Sequence, residues 1–106
     1  GIGKVQYTMA ADLTRQIARD YDVQTDGGVA YRGAFLIDPQ GVVRSQIVND
    51  LPLGRNIDEL LRLFDALQFH AEHGEVCPAG WQKGEAGMQA NPAGVADYLK
   101  HNAGKL

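Results

Sequence analysis

One turn constrains this chain more than any other feature. Asp38-Pro39-Gln40-Gly41 stands between two runs of strand-forming residues, 30–37 (AYRGAFLI) and 42–48 (VVRSQIV). Proline presets the first central position, Asp38 can bond its own backbone, and Gly41 suits the last position of a type I turn. The two runs are therefore predicted to pair as an antiparallel hairpin.

The flanking segments follow from periodicity. Residues 4–10 (KVQYTMA) alternate and carry β-branched and aromatic side chains, which predicts a first strand. Asp12 then reads as the N-cap of a helix bearing Leu13, Ile17, Ala18 and Tyr21 and ending near Asp22. Residues 24–28 (QTDGG) are a loop. After the hairpin, Asn56 and Glu59 resemble a capping box. Ile57, Leu60, Leu61, Phe64 and Leu67 form one apolar stripe of a helix running to about His70. Beyond Gly74 the period is lost. Residues 75–106 carry Gly80, Gly84, Gly87, Gly94, Pro78 and Pro92, which predicts an extended arm with one short helix at 94–101 that needs another surface to lie on.

The expected architecture is thus α/β, with three strands and two helices in residues 1–74 and an arm in 75–106. Such a core is thin. A strand–helix–strand crossover also asks for a parallel neighbour in a wider sheet. The opening Gly1-Ile2-Gly3 reads as mid-loop sequence. Both points lead to the expectation that part of the sheet lies in sequence outside these 106 residues.

Composition narrows the partners. With 44% hydrophobic and 22% charged residues the chain is globular, and its net charge of −3 leaves no basic footprint for nucleic acid. No apolar run is long enough to span a bilayer, and no basic leader precedes an apolar stretch. The expectation is a cytoplasmic protein with neither membrane nor nucleic-acid partner.

Chemistry converges on the one cysteine. A lone cysteine can be a buried thiol, a reactive thiol or a thiol that bonds to another chain. Cys77 lies beside Pro78 in the glycine-rich arm, outside the periodic segments, which favours an accessible, reactive group over a packed one. His70, His73 and Cys77 have a spacing that could present three zinc ligands, but no cysteine pair accompanies them. A protease-like nucleophile with a histidine base lacks any accompanying oxyanion loop. Arg32, on the second strand, is either a solvated edge cation or a fixed charge that binds an anion or lowers a thiol pKa. Arg55, between Gly54 and Asn56, has the same two readings.

The run Glu75-Val76-Cys77-Pro78-Ala79-Gly80-Trp81 resembles the resolving-cysteine segment of the typical two-cysteine peroxiredoxins. The resemblance extends through Tyr31–Asp38 (YRGAFLID), Val48–Arg55 (VNDLPLGR) and Phe69–Gly74, and covers nearly the whole chain. It implies the C-terminal part of a thioredoxin-like fold. The family's Pro-x-x-x-Thr-x-x-Cys motif, which carries the peroxidatic cysteine, has no counterpart here.

For a complete protein the resemblance implies a thiol peroxidase acting on hydrogen peroxide and organic hydroperoxides, with no cofactor or metal. Cys77 would be the resolving cysteine, Arg32 the arginine that stabilises thiolate and peroxide, and Arg55 a supporting arginine. A thioredoxin or a flavoprotein disulfide reductase would restore the thiols. The strand at 42–48 would pair two copies into a homodimer, with dimers closing into a ring of five. The family's C-terminal Tyr-Phe pair is here Tyr98-Leu99, which leaves overoxidation sensitivity open. A different class stays open beside the enzyme: a non-catalytic thioredoxin-like interaction module using Cys77 for mixed disulfides.

Overall fold

The computed structural model describes residues 6–102. Their elements are α1 (Gln16–Asp20), β1 (Arg32–Ile37), β2 (Val43–Asn49), α2 (Ile57–His73) and α3 (Pro92–Asn102). The α/β class holds, and the two helices expected before residue 75 and the one expected in the arm are present, but the described residues form two strands where three were expected. Of the expected first strand, Lys4 and Val5 lie outside the described residues, as does Gly1-Ile2-Gly3. Residues 6–10 form no strand. Alternating side chains do not make a strand unless a neighbour takes up its backbone donors and acceptors, and no ladder partner is described for them.

By internal contacts the chain divides into two units, residues 1–35 with 46–55, and residues 36–45 with 56–106. The hairpin β1–β2 forms as predicted. The base of the hairpin belongs to the first unit and its tip to the second.

In the first unit, Asp12 does cap α1, at longer range than an N-cap. Its carboxylate accepts from the backbone N–H of Ile17 (3.1 Å) and Ala18 (2.9 Å). The helix is short because residues 12–15 form a turn and Arg15 sits at φ 61°, so helical geometry begins only at Gln16. The chain then returns through Val23, whose N–H donates to Ala18 O at 2.9 Å and whose carbonyl accepts from Tyr31 N–H at 2.7 Å. Ala18 and Val23 are each 8% exposed and form the small core here. Tyr21 meets Phe35 edge-on, with ring centroids 4.8 Å apart. Ala30 pairs with Gln24 in an isolated bridge, so β1 starts two residues later than predicted.

In the second unit the turn has the predicted mechanism. Gly41 N–H donates to Asp38 O at 2.9 Å, and the Asp38 carboxylate accepts from Gln40 and Val42 N–H, both at 3.0 Å. Helix α2 starts at the predicted cap, where Asn56 Oδ1 accepts from Glu59 N–H at 3.1 Å. It ends at Gly74, which adopts φ 68° and donates to His70 O at 2.9 Å, a left-handed termination suited to glycine. The apolar stripe is only half covered. Leu60 and Leu67 are half-buried, while Ile57, Leu61 and Phe64 remain exposed. The thin core expected from the sequence is what the described residues show.

The arm departs from expectation. It does not run extended from α2 but folds back on that helix. Val76 and Met88 pair in an antiparallel bridge, and Trp81, 1% exposed, is the most buried large side chain among the described residues. Helix α3 is longer than predicted because Asn91 Oδ1 caps it, accepting from Gly94 N–H at 2.7 Å, with Pro92 as the first helical residue.

Candidate active site

Cys77 is placed by three local devices. The left-handed cap at Gly74 turns the chain out of α2. The Val76–Met88 bridge then fixes the backbone beside the cysteine, with N···O distances of 2.8 and 3.0 Å. Pro78-Ala79-Gly80-Trp81 closes a turn immediately after it. Trp81 N–H donates to Pro78 O at 3.0 Å, and Gly80 at φ 75° occupies the third position, which is type II geometry.

The thiol is half-buried against α2, with Sγ 3.7 Å from Ala66 O. Burial pushes its pKa up, and the positive charge of Arg62 partly opposes that shift. At neutral pH the docked side chain is therefore a thiol and not a thiolate. A group in that state is a poor first attacker on an O–O bond, since the thiolate is the nucleophile. Cys77 also lines a cavity of about 450 Å³ whose wall includes Leu36, Arg44, Ser45 and His70. The thiol is thus neither fully open nor part of a packed core. The proline and glycines make tight turns that press the segment onto the helix.

Arg62 was not singled out by sequence reasoning. Its Nε and Nη2 donate to the two carboxylate oxygens of Glu59 at 2.7 and 2.8 Å, and Nη1 donates to Trp81 O at 3.0 Å. This pairing raises the Arg62 pKa and lowers that of Glu59, chiefly through the side-chain hydrogen bond between them. Phe69 packs against Trp81 with centroids 5.0 Å apart and the rings tilted by 48°, and Trp81 Nε1 donates to Glu85 O at 3.1 Å. The available signal was the spacing of Arg62, Ala66 and Phe69, which puts them on one helical face beside the apolar stripe.

Arg32 and Arg55 belong to the first unit and Cys77 to the second. Arg32 is part-buried on β1, and its Nη2 donates to Ala30 O at 2.7 Å. Its Nε is buried with no hydrogen-bond partner among the described residues. Arg55 is exposed. It follows a loop tied back by Asn49 Nδ2, which donates to Gly54 O at 2.9 Å.

The zinc spacing assembles nothing. Among the described residues no three His, Cys, Asp or Glu side chains are placed to hold a metal. His70 Nδ1 instead lies 2.9 Å from Glu75 O. No helix among the described residues is long and apolar enough to cross a membrane.

Comparison with known proteins agrees with this arrangement. Residues 3–46 match the AhpC/TSA family, and residues 66–101 match the C-terminal domain of 1-Cys peroxiredoxin. Over 106 residues the chain is 59% identical to alkyl hydroperoxide reductase C of Helicobacter pylori, covering 100% of this chain and 54% of that protein. It is 50% identical to peroxiredoxin-2 of Macaca fascicularis over 104 residues, which are 96% of this chain and 52% of the relative. The reduced 2-Cys peroxiredoxin of Plasmodium vivax superposes with a TM-score of 0.90 at 46% identity, covering 94% of this chain and 52% of the other. The chain spans about half the length of the curated relatives it matches. A thioredoxin-like half of this kind, ending in an arm that docks its cysteine on a helix, belongs to the peroxiredoxin family and corresponds to its C-terminal part.

Proposed function

We propose that this chain is the resolving half of a two-cysteine thiol peroxidase. The observation that carries the reading is the Glu75–Trp81 segment, held as a turn with Cys77 on α2, in a chain 59% identical to an alkyl hydroperoxide reductase C. In the complete protein a peroxidatic thiolate attacks the O–O bond of hydrogen peroxide or an organic hydroperoxide. The products, after protonation, are a sulfenic acid and water or an alcohol. The Cys77 thiol of a second subunit then displaces water from that sulfenic acid and forms an intersubunit disulfide. A dithiol protein such as thioredoxin, or a flavoprotein disulfide reductase, returns both cysteines to thiols. The raised pKa of docked Cys77 suits the second step, because it keeps this thiol from competing in the first.

Arg32 has the roles of favouring the peroxidatic thiolate and holding the peroxide oxygens. Its support is the strand position and the unspent Nε donor. Arg55 is assigned a supporting role at the same site. Strand β2 is half of a two-stranded sheet, and its free edge is the surface for antiparallel pairing with a second copy about a two-fold axis, with rings of dimers beyond that. A cytoplasmic setting, where dithiol reductants keep thiols reduced, is part of the same reading.

The test is Cys77→Ser in the full-length protein. The first peroxide equivalent is consumed at the parent rate, and the intersubunit disulfide no longer forms. Loss of that first step in a folded variant refutes the resolving role. A protein that consumes no peroxide at all but forms mixed disulfides through Cys77 is instead an interaction module.

A further inference from the structure

We propose that Arg62 is a positioning residue for Cys77, clasping the arm onto α2 and setting how readily the thiol leaves the helix; its importance for turnover rests on the proposed resolving role. Three residues on one face of α2 hold the segment that follows the helix. Ala66 O faces Cys77 Sγ at 3.7 Å, Phe69 packs tilted against Trp81 with centroids 5.0 Å apart, and Arg62 Nη1 donates to Trp81 O at 3.0 Å. The Arg62 side chain is itself aimed. Its bidentate pairing with Glu59, one turn back along the helix, fixes the guanidinium plane and leaves Nη1 for the arm.

The contact lies 19 residues away along the chain, so it exists only while the arm is docked. The turn from Pro78 to Trp81 links the clasped carbonyl to the cysteine as one rigid piece. Fastening Trp81 therefore fastens Cys77. To reach a sulfenic acid on another chain the thiol must leave Ala66, and release of the Arg62–Trp81 bond is part of that movement.

The test compares Arg62→Met, which keeps an apolar stem, and Arg62→Lys, which keeps the charge without the fork, with the parent protein. The first readout is labelling of Cys77 by an aromatic disulfide at fixed pH. Loss of one charge-assisted hydrogen bond raises the undocked population by about tenfold, and Arg62→Met labels faster by that factor. Arg62→Lys falls between it and the parent. A purely electrostatic role predicts the opposite order, because removing a positive charge disfavours the thiolate, so that Arg62→Met labels more slowly and Arg62→Lys matches the parent.

The second readout is local. Trp81 is the sole tryptophan, so its emission shifts to the red and acrylamide quenches it more strongly. Amide exchange quickens at Val76, Trp81 and Met88 and stays unchanged in the hairpin. Labelling within twofold of the parent, or slower, overturns the proposal. So does exchange that quickens equally everywhere, which marks a general loss of stability. If Arg62→Met does not fold, Glu59→Gln serves. It weakens the aim of Arg62 without removing it, and a labelling rate unchanged from the parent is then the refuting result. No peroxide enters these assays, so a peroxide-inert parent overturns the proposed function and leaves the positioning result standing.

Discussion

Trp81→Ala removes the one large side chain that is almost wholly enclosed among the described residues. The indole is 1% exposed, packs tilted against Phe69 with centroids 5.0 Å apart and donates from Nε1 to Glu85 O at 3.1 Å. Truncating a buried tryptophan to alanine costs about 3–5 kcal/mol through lost transfer energy and the cavity left behind. Small domains have only about 5–15 kcal/mol of net stability. The loss is therefore a large share of what holds this chain, since among the described residues only Ala18, Val23 and Pro78 are buried besides Trp81. At about 4–8 °C per kcal/mol for a domain near this size, the thermal midpoint falls by more than about 10 °C. Circular dichroism at 222 nm against temperature measures it. Trp81→Phe is the graded control, because it keeps an aromatic ring against Phe69 and loses the Glu85 hydrogen bond, at about 1–2 kcal/mol. A midpoint for Trp81→Ala within about 2 °C of the parent refutes the view that the arm is packed on α2.

Gly87→Ala destabilises by about 1–3 kcal/mol, because an added Cβ falls 2.5 Å from Phe69 Cε1 and 3.1 Å from Val76 O, and the ring cannot retreat from Trp81; urea denaturation measures the change. Asn56→Ala removes the cap from Glu59 N–H and costs about 1 kcal/mol, read as a lower midpoint in the same assay. Glu59 titrates below its ordinary value because Arg62 hydrogen-bonds its charged form, so the clasp is complete above the usual carboxylate range and is lost as pH falls through the lowered pKa. Trp81 emission followed from neutral to acid pH reports that release, and a flat trace in Glu59→Gln is the matching control.

Local chemistry was legible in the sequence where it needed no distant partner. The Asp38–Gly41 turn and the Asn56 cap each act within a few residues, and each is where the residue types placed it, whereas α2 runs to His73, three residues past its expected end. The amphipathic stripe of α2 was also legible, but its exposure was not. Ile57, Leu61 and Phe64 are 59%, 57% and 47% exposed because a hydrophobic period states what a face prefers and not what is there to cover it. The same reasoning explains residues 6–10. Their alternation is real, and a strand still requires a second strand.

The arm was misread for a physical reason that bears on the site. Glycine and proline interrupt periodicity, and interrupted periodicity was taken for openness. Here Gly80 and Pro78 make a turn that brings Trp81 into contact with Phe69, and Gly87 is bare enough to let the returning chain pass the same ring. The small residues are the means by which a short segment packs closely without regular structure. Motif reading singles out Cys77 as the chemically distinctive residue. It did not show that the thiol is half-buried with a raised pKa, because both follow from packing on a helix face whose nearest residue, Ala66, lies 11 residues earlier in the chain. The segment that bears Cys77 is held on α2 by the Phe69–Trp81 ring contact and the Arg62–Trp81 hydrogen bond. On the proposed clasp, substitutions at Glu59, Arg62 and Phe69 on α2 change the behaviour of Cys77 without altering the segment that contains it.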